Sequence, residues 1–159
     1  SKKWLCRLPR YYWEDFHVGD TAPMGEKLVD KDEVIAFATA YDPQPFHLDA
    51  AVAAESIYGG LIASGFQVVA LAFRLFIQSG MLAGSSMGSP GIDELRWFAP
   101  ARPGDTLHAE VEVLAVTPSK SKADRGIARL RYTMLNQRRE AVAGFIVNHL
   151  LLRRPAPGA

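Results

Sequence analysis

Within the nine residues Tyr41 to Asp49, YDPQPFHLD, an aspartate and a histidine stand five positions apart with two prolines between them. The ordinary pKa of histidine lies nearest neutrality, so His47 can take or give a proton at working pH. Asp42 closes an apolar helical pattern, where the negative end of the helix dipole disfavours a carboxylate. A more basic Asp42, with a raised pKa, is therefore expected. Pro43 and Pro45 restrict the connecting chain, which lessens the entropy lost in holding both groups together. An acid and a base held in this way suit a reaction that removes one proton and delivers another. The same residues also fit a structural role, with Asp42 ending a helix, His47 filling a polar niche and the prolines stiffening a turn.

A third feature, ASGF, places Ser64 and Gly65 at the start of a long apolar run. The free backbone N–H groups and positive dipole end of a helix N-terminus can receive a developing oxyanion. A glycine there lets a carbonyl approach the backbone closely. Ser64 reads equally well as a simple N-cap. Together, Asp, His, helix N-terminus and apolar helix point to a carbonyl compound with an apolar chain. Residue types and spacing do not name the reaction.

These residues need elements to hold them. Thr21 to Val29 reads as extended, and DKDEVIAFATAY as a helix capped by Asp30, with Val34, Ile35, Phe37 and Ala38 on its apolar face. Pro43 disfavours helical geometry at Asp42 and stops that helix. Asp49 suits the N-cap of a brief helix through AAVAAES. A helix from about Ser64 to Met81 is apolar on nearly every side, so other elements must wrap it. The second half reads as strands: IDELRWFAP, TLHAEVEVLAVT, GIARLRYTMLN and AVAGFIVNHLLLRR, separated by turns at ARPGD, SKSKADRG and NQRRE. The fold class is α+β, an antiparallel sheet curled around one long helix. Such a sheet leaves an edge uncovered, which favours a homodimer.

The 159 residues fit a single domain, with a core from about Trp13 to Arg153 and a loose tail over 154–159. With 48% hydrophobic and 22% charged residues the composition is that of a globular protein. A net charge of +1 gives no basic excess for neutralising nucleic-acid phosphates. Cys6 has no second cysteine to pair with and reads as an incidental thiol. Residues 60–84 are the most apolar stretch, yet Arg74 and Gln78 interrupt it, which argues against a membrane span. The amino terminus lacks a signal-peptide pattern, and a cytoplasmic location is expected.

The stretch VIAFATAYDPQPFHLDAAVAAESIYGGLIASG resembles the hydratase signature of the MaoC-like dehydratases, the family of (R)-specific enoyl-CoA hydratases with the hot-dog fold. Its specific part is an Asp followed by Pro three positions on and His five positions on, matched by Asp42, Pro45 and His47. YYWEDFHVGD is similar to the family's opening segment, and LRWFAPARPGDTLHAEVEVL to its strand, PGD turn and strand. Gln44 stands where the family commonly has Asn, and Ser64 where it commonly has His.

The resemblance implies reversible addition of water to a 2-enoyl thioester of coenzyme A or of an acyl carrier, without a metal or redox cofactor. Asp42 and His47 would be the catalytic pair, with Gly65 at the thioester oxygen and Ser64 and Gln44 beside the substrate. On that basis the acyl chain is expected along Phe66, Val69 and Phe73, residues that also suit a plain core. Lys120, Lys122 and Arg125 would meet coenzyme A phosphates or form a solvated turn. A thioesterase and a non-catalytic acyl-thioester-binding subunit are the alternatives.

Overall fold

The computed structural model describes residues 11–157, so Cys6 lies outside the described residues. A single 3-10 turn at Trp13–Asp15 precedes β1, Thr21–Leu28. Ala22 and Met24 of β1 face the core, and Gly25, at φ 95°, takes the left-handed geometry that lets the pairing register shift between Pro23 and Glu26.

Helix α1, Lys31–Tyr41, starts where the sequence indicates: Asp30 accepts the Glu33 N–H at 3.0 Å. It buries Val34 and Ala38 and ends at Tyr41, with Asp42 outside helical geometry at φ −152°. One element was not anticipated. Pro45–Leu48 forms a one-turn helix, α2, with Pro45 at its first position, and this turn carries His47. Asp49 then caps α3, Ala50–Ala54, accepting the N–H groups of Ala51 and Val52 at 2.9 and 3.2 Å.

The long helix α4 runs Gly65–Gln78, stopping short of Met81 before Gly80 at φ 78°. Val68, Leu71, Ala72, Leu75 and Phe76 are buried on one face, whereas Phe66 and Ile77 are 59% and 52% exposed. The expectation of a fully wrapped helix is thus corrected: within this chain α4 is covered on one side. Each large side chain on that face stabilises the fold by about 1.5–3 kcal/mol.

Strands β2 (Ile92–Trp97), β3 (Thr106–Pro118), β4 (Arg125–Leu135) and β5 (Ala141–Leu152) complete one antiparallel sheet in the order β1-β3-β4-β5-β2. Alternate residues of the central strands, Leu107 to Val113, Leu130 to Met134 and Phe145 to Leu151, are buried and form the core with α4. Phe73 stacks against Tyr132 and Phe145, and Tyr132 Oη lies 2.6 Å from His149 Nε2. Burial pushes the His149 pKa down to about 4.

Arg154, expected in a loose tail, is anchored. Its N–H donates to Glu14 at 2.8 Å and its guanidinium pairs with Asp15, while Arg153 binds Glu14 and lies over the Trp13 ring. The chain leaving β5 is thereby tied to the 3-10 turn. No helix among the described residues is long and apolar enough to cross a membrane.

Candidate active site

The α1–α2 connection brings Asp42 and His47 together because it changes direction within a few residues. Pro43 cannot continue α1, and Pro45 restarts helical geometry, so the His47 N–H bonds back to Gln44 O at 2.9 Å. The His47 Nε2 lies 3.2 Å from Asp42 Oδ2, and the histidine is buried. On the other side of the ring, Nδ1 is 2.7 Å from the Ile62 carbonyl. A carbonyl can only accept, so Nδ1 carries a hydrogen and Nε2 faces Asp42 with its lone pair when the ring is neutral. The Phe46 ring stands edge-on to the imidazole at 4.6 Å and Tyr58 packs behind Phe46 at 5.2 Å.

Asp42 is held from three directions. Gln44 Nε2 donates to Oδ1 at 2.6 Å, Ser64 Oγ donates to Oδ2 at 2.7 Å, and His47 flanks Oδ2. The Gln44 bond, then the Ser64 bond and the imidazole, outweigh burial and hold the Asp42 carboxyl below the usual carboxylate range. The helix-dipole expectation of a raised pKa is overturned. A half-charge at a helix end acts weakly over the last turn, whereas two direct donors, Gln44 Nε2 and Ser64 Oγ, stabilise the carboxylate itself.

Ser64 is fully buried. Its hydroxyl donates to Asp42 and accepts the Phe66 N–H at 3.3 Å, so it both caps α4 and positions the carboxylate. This corrects its expected placement beside the substrate: Ser64 does not line the cavity and reaches it only through Asp42. Gly65, the first residue of α4, has no acceptor for its N–H among the described residues. The reason for a glycine here is a neighbour that the sequence did not reveal. A Cβ at this position would come within 2.4 Å of the Trp97 indole.

All these groups meet at a cavity of about 490 Å3. Asp42, Gln44, His47 and Gly65 form its polar side, and Phe66, Val68, Trp97 and the segment Phe98 to Ala101 its apolar side. Of the three expected acyl-chain residues, only Phe66 lines it. Val69 and Phe73 pack against the core, Phe73 inside the aromatic cluster; they share the Phe66 side of α4 but lie about 4.5 and 10.5 Å further along its axis, beyond the cavity. Val68, Trp97 and Tyr58 are among the wall residues that sequence reasoning missed. Lys120, Lys122 and Arg125 lie at the β3–β4 turn, at the opposite end of β3 from Ala101. That strand is roughly 40 Å long at about 3.3 Å per residue, so within one chain these cations stay away from the cavity. Arg125 is moreover paired with Asp124 at 2.8 Å. Among the described residues no group of three or more His, Cys, Asp or Glu side chains is arranged to hold a metal ion.

The family model of the MaoC like domain matches residues 19–133, which span β1 through most of β4 and contain every polar residue of the cavity. The chain belongs to the MaoC-like domain family. Its architecture is the hot-dog fold. This MaoC-like domain is similar to the crystal structure of the MaoC-like dehydratase from Rhodospirillum rubrum, at 44% identity and a TM-score of 0.86, covering 92% of this chain and 99% of that one. It is 30% identical over 125 residues to YdeM of Bacillus subtilis, described as uncharacterized, across 79% of this chain and 87% of that protein. The 3-hydroxybutyryl-CoA dehydratase of Methylorubrum extorquens is likewise 30% identical over 124 residues, 75% of this chain and 74% of the relative.

Proposed function

We propose that this MaoC-like domain catalyses the reversible addition of water across the C2–C3 double bond of a 2-enoyl-CoA thioester, giving the 3-hydroxyacyl thioester. The observation that carries this reading is the 3.2 Å pairing of Asp42 Oδ2 and His47 Nε2 on the wall of the cavity, beside the unpartnered Gly65 N–H. The dehydratase relatives support the reaction class.

The ionised Asp42 and the neutral His47 are both acceptors, so a water donating a hydrogen to each turns a lone pair toward C3. As the C3–O bond forms, the π electrons move through C2 toward the thioester oxygen, where the Gly65 N–H meets the developing enolate. Such a donor is typically worth about 3–4 kcal/mol. One water proton passes to the pair and one proton reaches C2, so a single H2O is added in all. The geometry gives the roles of base and acid to the pair, not to either residue alone.

The edge strand β2 and the exposed Phe66, Ile92, Trp97 and Phe98 beside it present apolar surface and free backbone groups to a second copy. A homodimer built on this edge would cover the open side of α4 and of the cavity.

Purified protein is expected to consume a 2-enoyl-CoA, followed by loss of the enoyl absorbance. Asp42→Asn and His47→Gln should each lower kcat by at least about 1000-fold while leaving the melting temperature near wild type. Free thiol appearing at the rate of substrate loss would make it a thioesterase. Unchanged turnover in either variant would remove the pair from the chemistry.

A further inference from the structure

Trp97 ends β2 and is 46% exposed, yet it forms part of the cavity wall. The Cβ position of Gly65 lies 2.4 Å from both Nε1 and Cε2 of its ring and 2.9 Å from Cδ1. Near-equal distances to adjacent ring atoms put that point over the face of the five-membered ring, since a point beyond the N–H edge would be clearly nearer Nε1 than either carbon. The indole therefore lies flat against Gly65, and its N–H, which lies in the ring plane, points along the cavity wall instead of into the glycine. Phe66 holds the ring from the side, at 5.5 Å and 75°.

Two backbone and side-chain donors thus share one corner without an acceptor: the Gly65 N–H and the Trp97 Nε1–H have no partner among the described residues. A substrate that fills this corner leaves both donors unsatisfied unless it brings an acceptor, and indole N–H groups in such settings regularly find one. We propose that Trp97 Nε1–H is a second donor to the thioester oxygen, forming with the Gly65 N–H a two-donor oxyanion site. The inference rests on the hydratase reading given above. No proton leaves the indole; its hydrogen bond strengthens as negative charge moves from C2 onto the oxygen, so the effect falls on the transition state more than on binding.

Trp97→Phe keeps an aromatic face over Gly65 and the contact with Phe66 while removing only the donor. It is expected to lower kcat on a 2-enoyl-CoA by about 10–100-fold with KM changed less than about threefold. Trp97→His, a flat ring that regains an N–H, should recover part of that loss, and identical activity in the His and Phe variants overturns the proposal even if both melt early. A spectroscopic reading is independent of turnover. A 2,4-dienoyl-CoA bound to the inactive Asp42→Asn protein should absorb to the red of the free thioester, because donors to the carbonyl oxygen polarise it, and adding Trp97→Phe should shrink that shift. A shift of the same size with and without Trp97, or wild-type kcat in Trp97→Phe, sinks the second donor and leaves the hydratase reading standing. Wild-type protein that consumes no enoyl thioester brings down that reading instead.

Discussion

Trp13 and Trp97 both lay the face of the indole on a glycine, and they part company at the N–H. At Gly126 a Cβ would meet Trp13 Nε1 at 2.5 Å and the flanking carbons at 2.7 Å, much as Gly65 meets Trp97. Trp13, however, donates to the Ile127 carbonyl at 3.1 Å and carries the Arg153 guanidinium 5.0 Å from its ring centre. Every polar capacity of that ring is used inside the fold, joining the 3-10 turn to β4. The ring at Gly65 has the same steric fit, an unused donor and an open cavity beside it. One packing motif therefore serves as a clamp in the first place and as a prepared surface in the second, and the satisfied or unsatisfied N–H is what separates them.

Adding a methyl group at each glycine tests that separation most strongly. Gly65→Ala must push the Trp97 ring out of place, and kcat/KM is expected to fall by at least about 100-fold, measured on the same enoyl thioester. Gly126→Ala strains an equally tight contact but away from the cavity, so it should cost about 1–3 kcal/mol of stability in urea unfolding and leave kcat unchanged. An active Gly65→Ala protein, or a Gly126→Ala protein that is stable but inactive, would break the comparison.

A milder change sharpens it. Trp13→Phe loses one neutral hydrogen bond and should lower stability by roughly 1 kcal/mol with turnover intact, the reverse of the pattern expected at Trp97. The smallest effect is read on the pH axis and belongs to the cavity side alone. Because the Gln44 bond is the largest influence lowering the Asp42 pKa, Gln44→Leu should move the acid limb of the kcat/KM profile to higher pH. The sign follows from the depressed value. The ionised carboxylate is favoured by the fold, so its contribution is complete above the ordinary aspartate pKa and disappears as pH falls through the lowered one. An acid limb that stays in place in Gln44→Leu would show that another group sets it.

Much of the fold was legible because local chemistry and hydrophobic period agree. Asp30 and Asp49 cap the helices assigned to them, and Pro43 ends α1 where its ring demands. The alternation in β3 matches its buried face. The one-turn helix α2 was missed since four residues are too few to show a period, and its only signal was Pro45 at a first helical position. Arg154 read as tail because its anchors, Glu14 and Asp15, lie at the far end of the chain.

The site divides in the same way. Residue types and spacing brought Asp42, His47 and Gly65 into one hypothesis, since all three lie within 24 positions and flank helix ends whose signals are local. Only the tertiary structure could decide the rest. The Asp42 pKa moves down and not up because Ser64, 22 residues away, joins Gln44 in donating to it. Phe73 is enclosed in the aromatic core while Val68, itself a core residue, also borders the cavity, because the seating of α4 against the sheet is set by packing. Gly65 is bound to be glycine because β2 delivers Trp97 onto it from 32 positions further along the chain. A sequence determines which groups are able to do chemistry through bonded geometry and local propensity, but long-range packing chooses their neighbours, and those neighbours fix both charge state and shape.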